Sequence, residues 1–232
     1  MRAYVINLDS RPDRWSSVLS AGSRLGVELL RVPAIGSTQI PESSGSFVTP
    51  TVNACWLSHQ KAASLFLASS EEYGLILEDD FVPEGKFSVD HLKIAQANDL
   101  DFLQLGFLKT SIGESTSIVV QNAWNTCLQT LGYASSQVKP LKHFGEKILV
   151  SERSGIPQNL VVNDIRAGAH AYILSREFAE FMTQINQPTA LSTDALFISL
   201  GPMRTLRMAR LRRSIVGQSD SPTSITSRFS GI

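Results

Sequence analysis

Cysteine is scarce in this sequence: Cys55 and Cys127 are the only two in 232 residues, too few for a disulfide framework. No CxxC and no paired Cys/His spacing marks a zinc module. Net charge is missing too, because 21 Lys and Arg offset 21 Asp and Glu. That balance removes the bulk attraction that carries basic proteins to nucleic acid. No apolar run approaches the ~18 residues of a membrane span, and residues 1–7 contain no signal-peptide core. The expectation is a soluble, cytoplasmic protein. Neither an internal repeat nor an interdomain linker is visible. Residues 1–218 are therefore expected to form one domain, with the polar segment 219–232 as a flexible tail. What the chain does have is apolar mass: 43% of its residues are hydrophobic, enough for a core and too many for wholesale disorder.

The apolar residues alternate between strand-like and helix-like patterns. Residues 4–8 read as a buried strand. Ser10 and Pro12 then open a helix with Trp15, Val18, Leu19 and Leu25 on its core side, and Gly26 stops it. Residues 27–32 read as a second strand and 36–50 as a loop. Residues 52–69 read as a helix with Leu57, Leu65 and Ala68 on one side. Residues 74–77 and 101–108 read as strands, with a helix over 88–97 between them. Residues 169–174 read as a strand, and Ser175 caps a helix over 176–185. Residues 194–200 and 204–216 read as helical, whereas 109–165 shows no clear pattern. Strand and helix in alternation predict an α/β fold with a mostly parallel sheet.

The acids Glu78, Asp79 and Asp80 follow the apolar strand 74–77 directly. Open α/β sheets bind ligands beyond the carboxyl ends of their strands. Adjacent carboxylates repel, by about 4 kcal/mol for a pair at 4 Å at an effective dielectric near 20. A divalent cation relieves that repulsion, and oxygen-only ligands suit Mg²⁺ or Mn²⁺. If the strand continues, Glu78 and Asp80 share one side and Asp79 takes the other. Asp80 is then the expected metal ligand. Glu78 would face the metal or a sugar hydroxyl. An acidic strand end in solvent is the competing reading.

Several segments together resemble glycosyltransferase family 25, which includes lipooligosaccharide and collagen galactosyltransferases. The stretch Tyr4-Val5-Ile6-Asn7-Leu8-Asp9-Ser10-Arg11-Pro12-Asp13-Arg14 resembles its opening, and Ala54-Cys55-Trp56-Leu57-Ser58-His59 its GC-x-LSH segment. Ile76-Leu77-Glu78-Asp79-Asp80 resembles its acidic motif, and Asp101-Phe102-Leu103-Gln104-Leu105-Gly106 the strand after it. Gly168-Ala169-His170-Ala171-Tyr172-Ile173-Leu174-Ser175-Arg176 resembles its G-x-x-AYxxSR segment, and Thr193-Asp194 its P-x-D position. Gln218 and Ser224-Ile225 loosely resemble its C-terminal Q…S-x-I element. The matches run in the family's order.

The resemblance implies a GT-A type, Rossmann-like sandwich and an inverting transferase. The implied donor is a nucleotide sugar, UDP-galactose first, and the implied acceptor a surface glycan or lipooligosaccharide. Asn7, Leu8, Arg11 and Arg14 would border the nucleotide, with His59, Glu78 and Asp79 also on the donor side. Glu78 and Asp80 would hold Mn²⁺ or Mg²⁺. Asp194 would take the proton of the acceptor hydroxyl.

Plainer roles stand beside these. Arg11 and Arg14 are placed to pair with Asp9 and Asp13 on the surface. His59 is suited to orienting a loop or capping a helix, His170 to a hydrogen-bonded core position, and Asp194 to a helix N-terminus beside Ser192 and Thr193. Cys55 and Cys127 are expected to be reduced and structural. The chain departs from the family in having no histidine after His170, a long stretch between Gly106 and Gly168, and no evident second acidic motif. Residues 201–213 carry five arginines (Arg204, Arg207, Arg210, Arg212, Arg213) and no acid. They read as a solvated helix face, or as a strip meeting phosphates or an anionic membrane face. Competing functions are a metal-dependent nucleotidyltransferase, which lacks a Gly-rich loop at residues 9–14, and a nucleotide- or sugar-binding protein without catalysis.

Overall fold

A computed structural model describes residues 2–22, 25–40, 48–85, 87, 89–108, 160–185, 191–203 and 206–219. Residues 109–159, Cys127, Arg204, Ser224, Ile225 and the expected tail from 220 onward lie outside the described residues.

In chain order the elements are β1 (Arg2–Asn7), α1 (Pro12–Gly22), β2 (Glu28–Pro33), α2 (Pro50–Leu67), β3 (Tyr73–Glu78), β4 (Phe81–Pro83) and α3 (Val89–Ala97). They continue with β5 (Phe102–Gln104), β6 (Leu160–Val162), β7 (Ala171–Ser175), α4 (Arg176–Gln184), α5 (Thr193–Met203), β8 (Met208–Leu211) and β9 (Val216–Gln218). The central sheet has seven strands in the order β2-β1-β3-β7-β5-β8-β6. β1, β2, β3, β5 and β8 point one way; β7 and β6 run against them. The sheet is thus mostly parallel in direction, as the alternating pattern predicts, with antiparallel β7 in its middle.

Helices cover both faces because the central strands β1, β3 and β7 are apolar on both sides. Tyr4, Ile6, Ile76, Tyr172 and Leu174 pack on Trp56, Ala63 and Phe66 of α2, Phe178 of α4 and Phe197 of α5. Their strand neighbours Ala3, Val5, Leu75, Leu77, Ala171 and Ile173 pack on the other face with Val18 and Ala21 of α1 and Ala95 of α3. The result is a Rossmann-like α/β sandwich. Buried runs of this kind are the signature of a sheet covered on both sides.

Four local readings are corrected. Leu19 leaves the core side of α1 and is 52% exposed. On α2 the buried stripe is Ala54, Trp56, Ser58, His59, Ala62, Ala63 and Phe66, while Leu65 and Ala68 face solvent. The longer stripe wins because α2 lies against the sheet and α4, and small alanines allow that approach. The arginine-rich segment is no helix: residues 208–211 form β8, paired with β5 and β6. Its arginines do not share a face. Arg210 is buried against Asp164 and Arg207 pairs with Asp99, whereas Arg212 and Arg213 are exposed. The strand expected over 101–108 pairs regularly only at Phe102–Gln104.

Candidate active site

The carboxyl ends of β1, β3 and β5 and the start of antiparallel β7 meet at one edge of the sheet. There the chain leaves β3 at Glu78 and turns sharply through Asp79 and Asp80. Strand alternation ends with Glu78, so each acid takes its own partner.

Asp79 turns back toward β1 and α1. It accepts a hydrogen bond from Asn7 Nδ2 at 2.7 Å and pairs with Arg14 Nη1 at 2.8 Å. Asn7 is fully committed: Nδ2 also donates to the Arg11 carbonyl at 3.1 Å, and Oδ1 accepts from Arg31 Nε at 2.8 Å. Arg31 in turn reaches Asp9. This part-buried lattice fixes the turn after β1 against the turn after β3. Arg31 carries no sequence signal beyond its charge. Arg11 enters the lattice only through its carbonyl; its guanidinium pairs at the surface with Asp13. Leu8 is half-buried in the same turn, its carbonyl accepting from Arg11 N at 2.9 Å.

Asp80 is almost completely buried. Its backbone carbonyl accepts from Ser219 N at 2.8 Å, and Gln218 Nε2 lies 3.4 Å from Oδ2. The short ribbon of β4 and β9 brings Gln218 there. Oδ1 is buried without a hydrogen-bond partner among the described residues, as are Arg14 Nε and His170 Nδ1 nearby. Burial, then the charge of Glu78, pushes the Asp80 carboxyl up to about 6 against the pull of Arg14. A buried, partnerless carboxylate oxygen at an acidic turn fits a cation ligand.

Glu78 behaves oppositely. Burial alone would raise its pKa, but the hydrogen bond from His59 and the positive potential of His59, His170 and Arg14 hold it below the ordinary value. Of this interacting pair, Asp80 takes the first proton and Glu78 keeps its charge. His59 is completely buried, so its effect on a donor at the turn passes through Glu78. Its Nε2 lies 3.2 Å from Glu78 Oε1 and its Nδ1 2.9 Å from the Tyr172 hydroxyl. A carboxylate only accepts, so Nε2 donates to Glu78; when the ring is neutral, Nδ1 accepts a hydrogen bond from the Tyr172 hydroxyl. In the sequence Tyr172 carries no role of its own beyond the strand 169–174 and the Gly168–Arg176 segment; its stack on Phe102 and its edge contact with Phe197 anchor this chain of contacts in the core.

His170 closes the floor. Its Nε2 donates to the Val216 carbonyl at 3.0 Å, the hydrogen-bonded core role expected of it. Gly106 and Gly168 flank the ring, and a Cβ on Gly106 would meet it at 2.4 Å. Gly168 sits at φ +115 and turns its N–H toward Asp194, at the start of α5. Gln104 holds this turn open by donating to the carbonyls of Arg166 and Gly168, both at 2.7 Å. Ser192, not Asp194, caps α5 by accepting from Ala195 N. Asp194 is thus free of the capping role and half-buried in the first turn of the helix. Burial, then the Glu78 charge, raises its pKa, and the Gly168 N–H opposes the rise.

Residues 1–197 match the sequence profile described as glycosyltransferase family 25 (LPS biosynthesis protein). No curated protein sequence matches the chain significantly. Among solved structures, the 1–349 segment of S. aureus TarS is similar at 12% identity and TM-score 0.42, over 94% of this chain and 60% of that one. The same segment in complex with UDP-GlcNAc is similar at 10% identity and TM-score 0.46, over 96% and 59%. The galactosyltransferase LgtC in complex with donor and acceptor sugar analogues is similar at 9% identity and TM-score 0.42, over 96% and 88%. The chain spans about three fifths of the TarS segment.

Proposed function

Since the chain belongs to glycosyltransferase family 25 and so is a glycosyltransferase, we propose that it moves a hexose, galactose first, from a UDP-linked donor. The acceptor is a hydroxyl of a surface glycan or lipooligosaccharide, and the anomeric centre inverts. The supporting observation is the acidic turn at the sheet edge, whose Asp80 keeps a buried oxygen without a partner among the described residues. The reading places Asp80, with Glu78 beside it, around Mn²⁺ or Mg²⁺. Such an ion, when bound, neutralises a departing diphosphate.

The chain's own residues do the rest. Asp79, tied to Asn7 and Arg14, fixes the turn. Arg14 turns toward the same acids a guanidinium whose Nε has no partner among the described residues, placed to meet diphosphate oxygens. Glu78, oriented by His59, accepts from a ribose or sugar hydroxyl. Asp194 takes the acceptor's proton as the new bond forms on the face opposite the leaving group, and a carboxylate with a raised pKa is the better base. Residues 1–218 act as one catalytic domain at the cytoplasmic face of a membrane, where exposed Arg212 and Arg213 meet anionic headgroups.

A panel of nucleotide sugars with Mn²⁺, read by slow donor hydrolysis, tests this. UDP-galactose should turn over fastest, and Asp80→Ala should abolish the reaction. UDP affinity without turnover of any donor would instead mark a binding protein.

A further inference from the structure

Cys55 and His59 lie four residues apart on α2, one turn, and so share a face. Glu78 stands opposite them. One ligand atom from each, the Cys55 Sγ, a His59 ring nitrogen and a Glu78 carboxylate oxygen, all lie within 4.8 Å of one another. His59 Nε2 and Glu78 Oε1 are 3.2 Å apart. Two such ligands on a tetrahedral zinc ion stand about 3.3 Å apart, and sulfur and nitrogen about 3.6 Å. One edge of the tetrahedron is already set, and the thiol closes the others by moving about an ångström.

Burial and then the charge of Glu78 push the Cys55 thiol well up, so its thiolate forms only as the metal binds. Thr193 Oγ1 lies 3.7 Å from the Cys55 sulfur and can donate to a thiolate. Tyr172 solves the tautomer problem, since a hydroxyl both donates and accepts. If a metal takes the Nε2 lone pair, the ring keeps its proton on Nδ1 and donates it to Tyr172. Neither ring nitrogen is orphaned, and the ring orientation is unchanged.

We propose that Cys55, His59 and Glu78 form a site for a thiophilic divalent ion of the Zn²⁺ class, with water from the cleft as fourth ligand. Its soft sulfur and imidazole ligands distinguish it from the oxygen-only ligands around Asp80. Binding releases the Cys55 thiol proton to solvent, and the neutral imidazole keeps its single proton. The two sites share Glu78, so an ion held by Cys55 withdraws that carboxylate from the donor side. Zn²⁺ then inhibits glycosyl transfer even with Mn²⁺ present; this consequence rests on the function proposed above, whereas the binding itself does not.

Co²⁺ is the spectroscopic probe. Titrated into the reduced full chain, it should bind one equivalent and give tetrahedral bands together with a thiolate-to-metal charge-transfer band, and Zn²⁺ should bleach both. Cys55→Ser should abolish the charge-transfer band and weaken binding about tenfold or more, whereas Cys127→Ser should leave it. In the unmodified protein, Zn²⁺ should protect Cys55 from alkylation, mapped by peptide mass, which does not depend on any variant folding. A Co²⁺ spectrum without the thiolate band, its survival in Cys55→Ser, or alkylation of Cys55 undiminished by Zn²⁺ would each overturn the site. None of these readouts uses a sugar donor, so they succeed or fail separately from glycosyl transfer.

Discussion

Asp80 is held at a cost to the fold. Burial and then the Glu78 charge lift its carboxyl from 3.8 to about 6. Between about pH 4 and 6 the folded chain keeps a proton that the unfolded chain has lost. The stability this confers is complete below pH 4 and is lost as pH rises through 6. Asp80→Asn should therefore match the parent at pH 4 and exceed it by on the order of 2 kcal/mol at pH 8. Urea unfolding at both pH values checks this, and equal stability at pH 8 would show that the acid is not strained. Mn²⁺ should stabilise the parent at pH 8 and not the variant. Asp194 differs in having a backbone donor of its own. Asp194→Asn should lower turnover ~10²–10⁴-fold with donor affinity kept. In the parent, kcat/KM should rise with pH through a carboxylate pKa above the ordinary aspartate value. Near-normal turnover in the variant would remove Asp194 as the base.

At the scale of elements, two adjacent residues between β7 and α4 close two helix ends. Ser175 Oγ accepts from Phe178 N and starts α4. Arg176 reaches back to the end of α2, where its guanidinium donates to the carbonyls of Leu67, Ser69 and Glu71 and lies over Phe66. A fixed fork satisfies these orphan carbonyls and meets the negative end of the helix. Lysine cannot span them. Arg176→Lys should cost about 1.5–3 kcal/mol and Ser175→Ala about 1 kcal/mol. Both should lower the denaturation midpoint at constant m-value. Because α2 carries His59, Arg176→Lys should also blunt donor turnover slightly, without shifting its pH profile.

For the whole molecule, the sheet runs from Arg2 at its first strand to Leu211 at β8 and is covered on both faces. No described boundary divides it. Unfolding should then be a single transition, with far-UV circular dichroism and tryptophan fluorescence superimposing, since Trp56 sits fully inside the core under α2. Two separable transitions would show that residues 1–218 are not one domain. The order of β1, β2, β3, β5 and β7 and of the helices was legible because apolar runs and turn residues are local features, whereas the three-residue strands β4, β6 and β9 are too short to carry a pattern. The reading failed where one apolar residue had to choose between faces, as at Leu19 and Leu65. It failed again where arginine spacing imitated a helix that sheet pairing had already claimed as β8.

Local chemistry alone determined the α/β alternation, the acids at the end of β3, the Ser175 cap and the kinship of residues 1–197. Those depend on neighbours within a few positions. The tertiary structure alone decided that Asp79, not Asp80, is consumed by Asn7, 72 residues away. It also inserted antiparallel β7 between β3 and β5, set Gln218 beside Asp80, and turned His59 inward to hold Glu78. In each case partners distant in sequence compete for a few buried hydrogen-bonding atoms. Which pair wins is settled by the packing of the whole sheet, and no spacing within the chain encodes it.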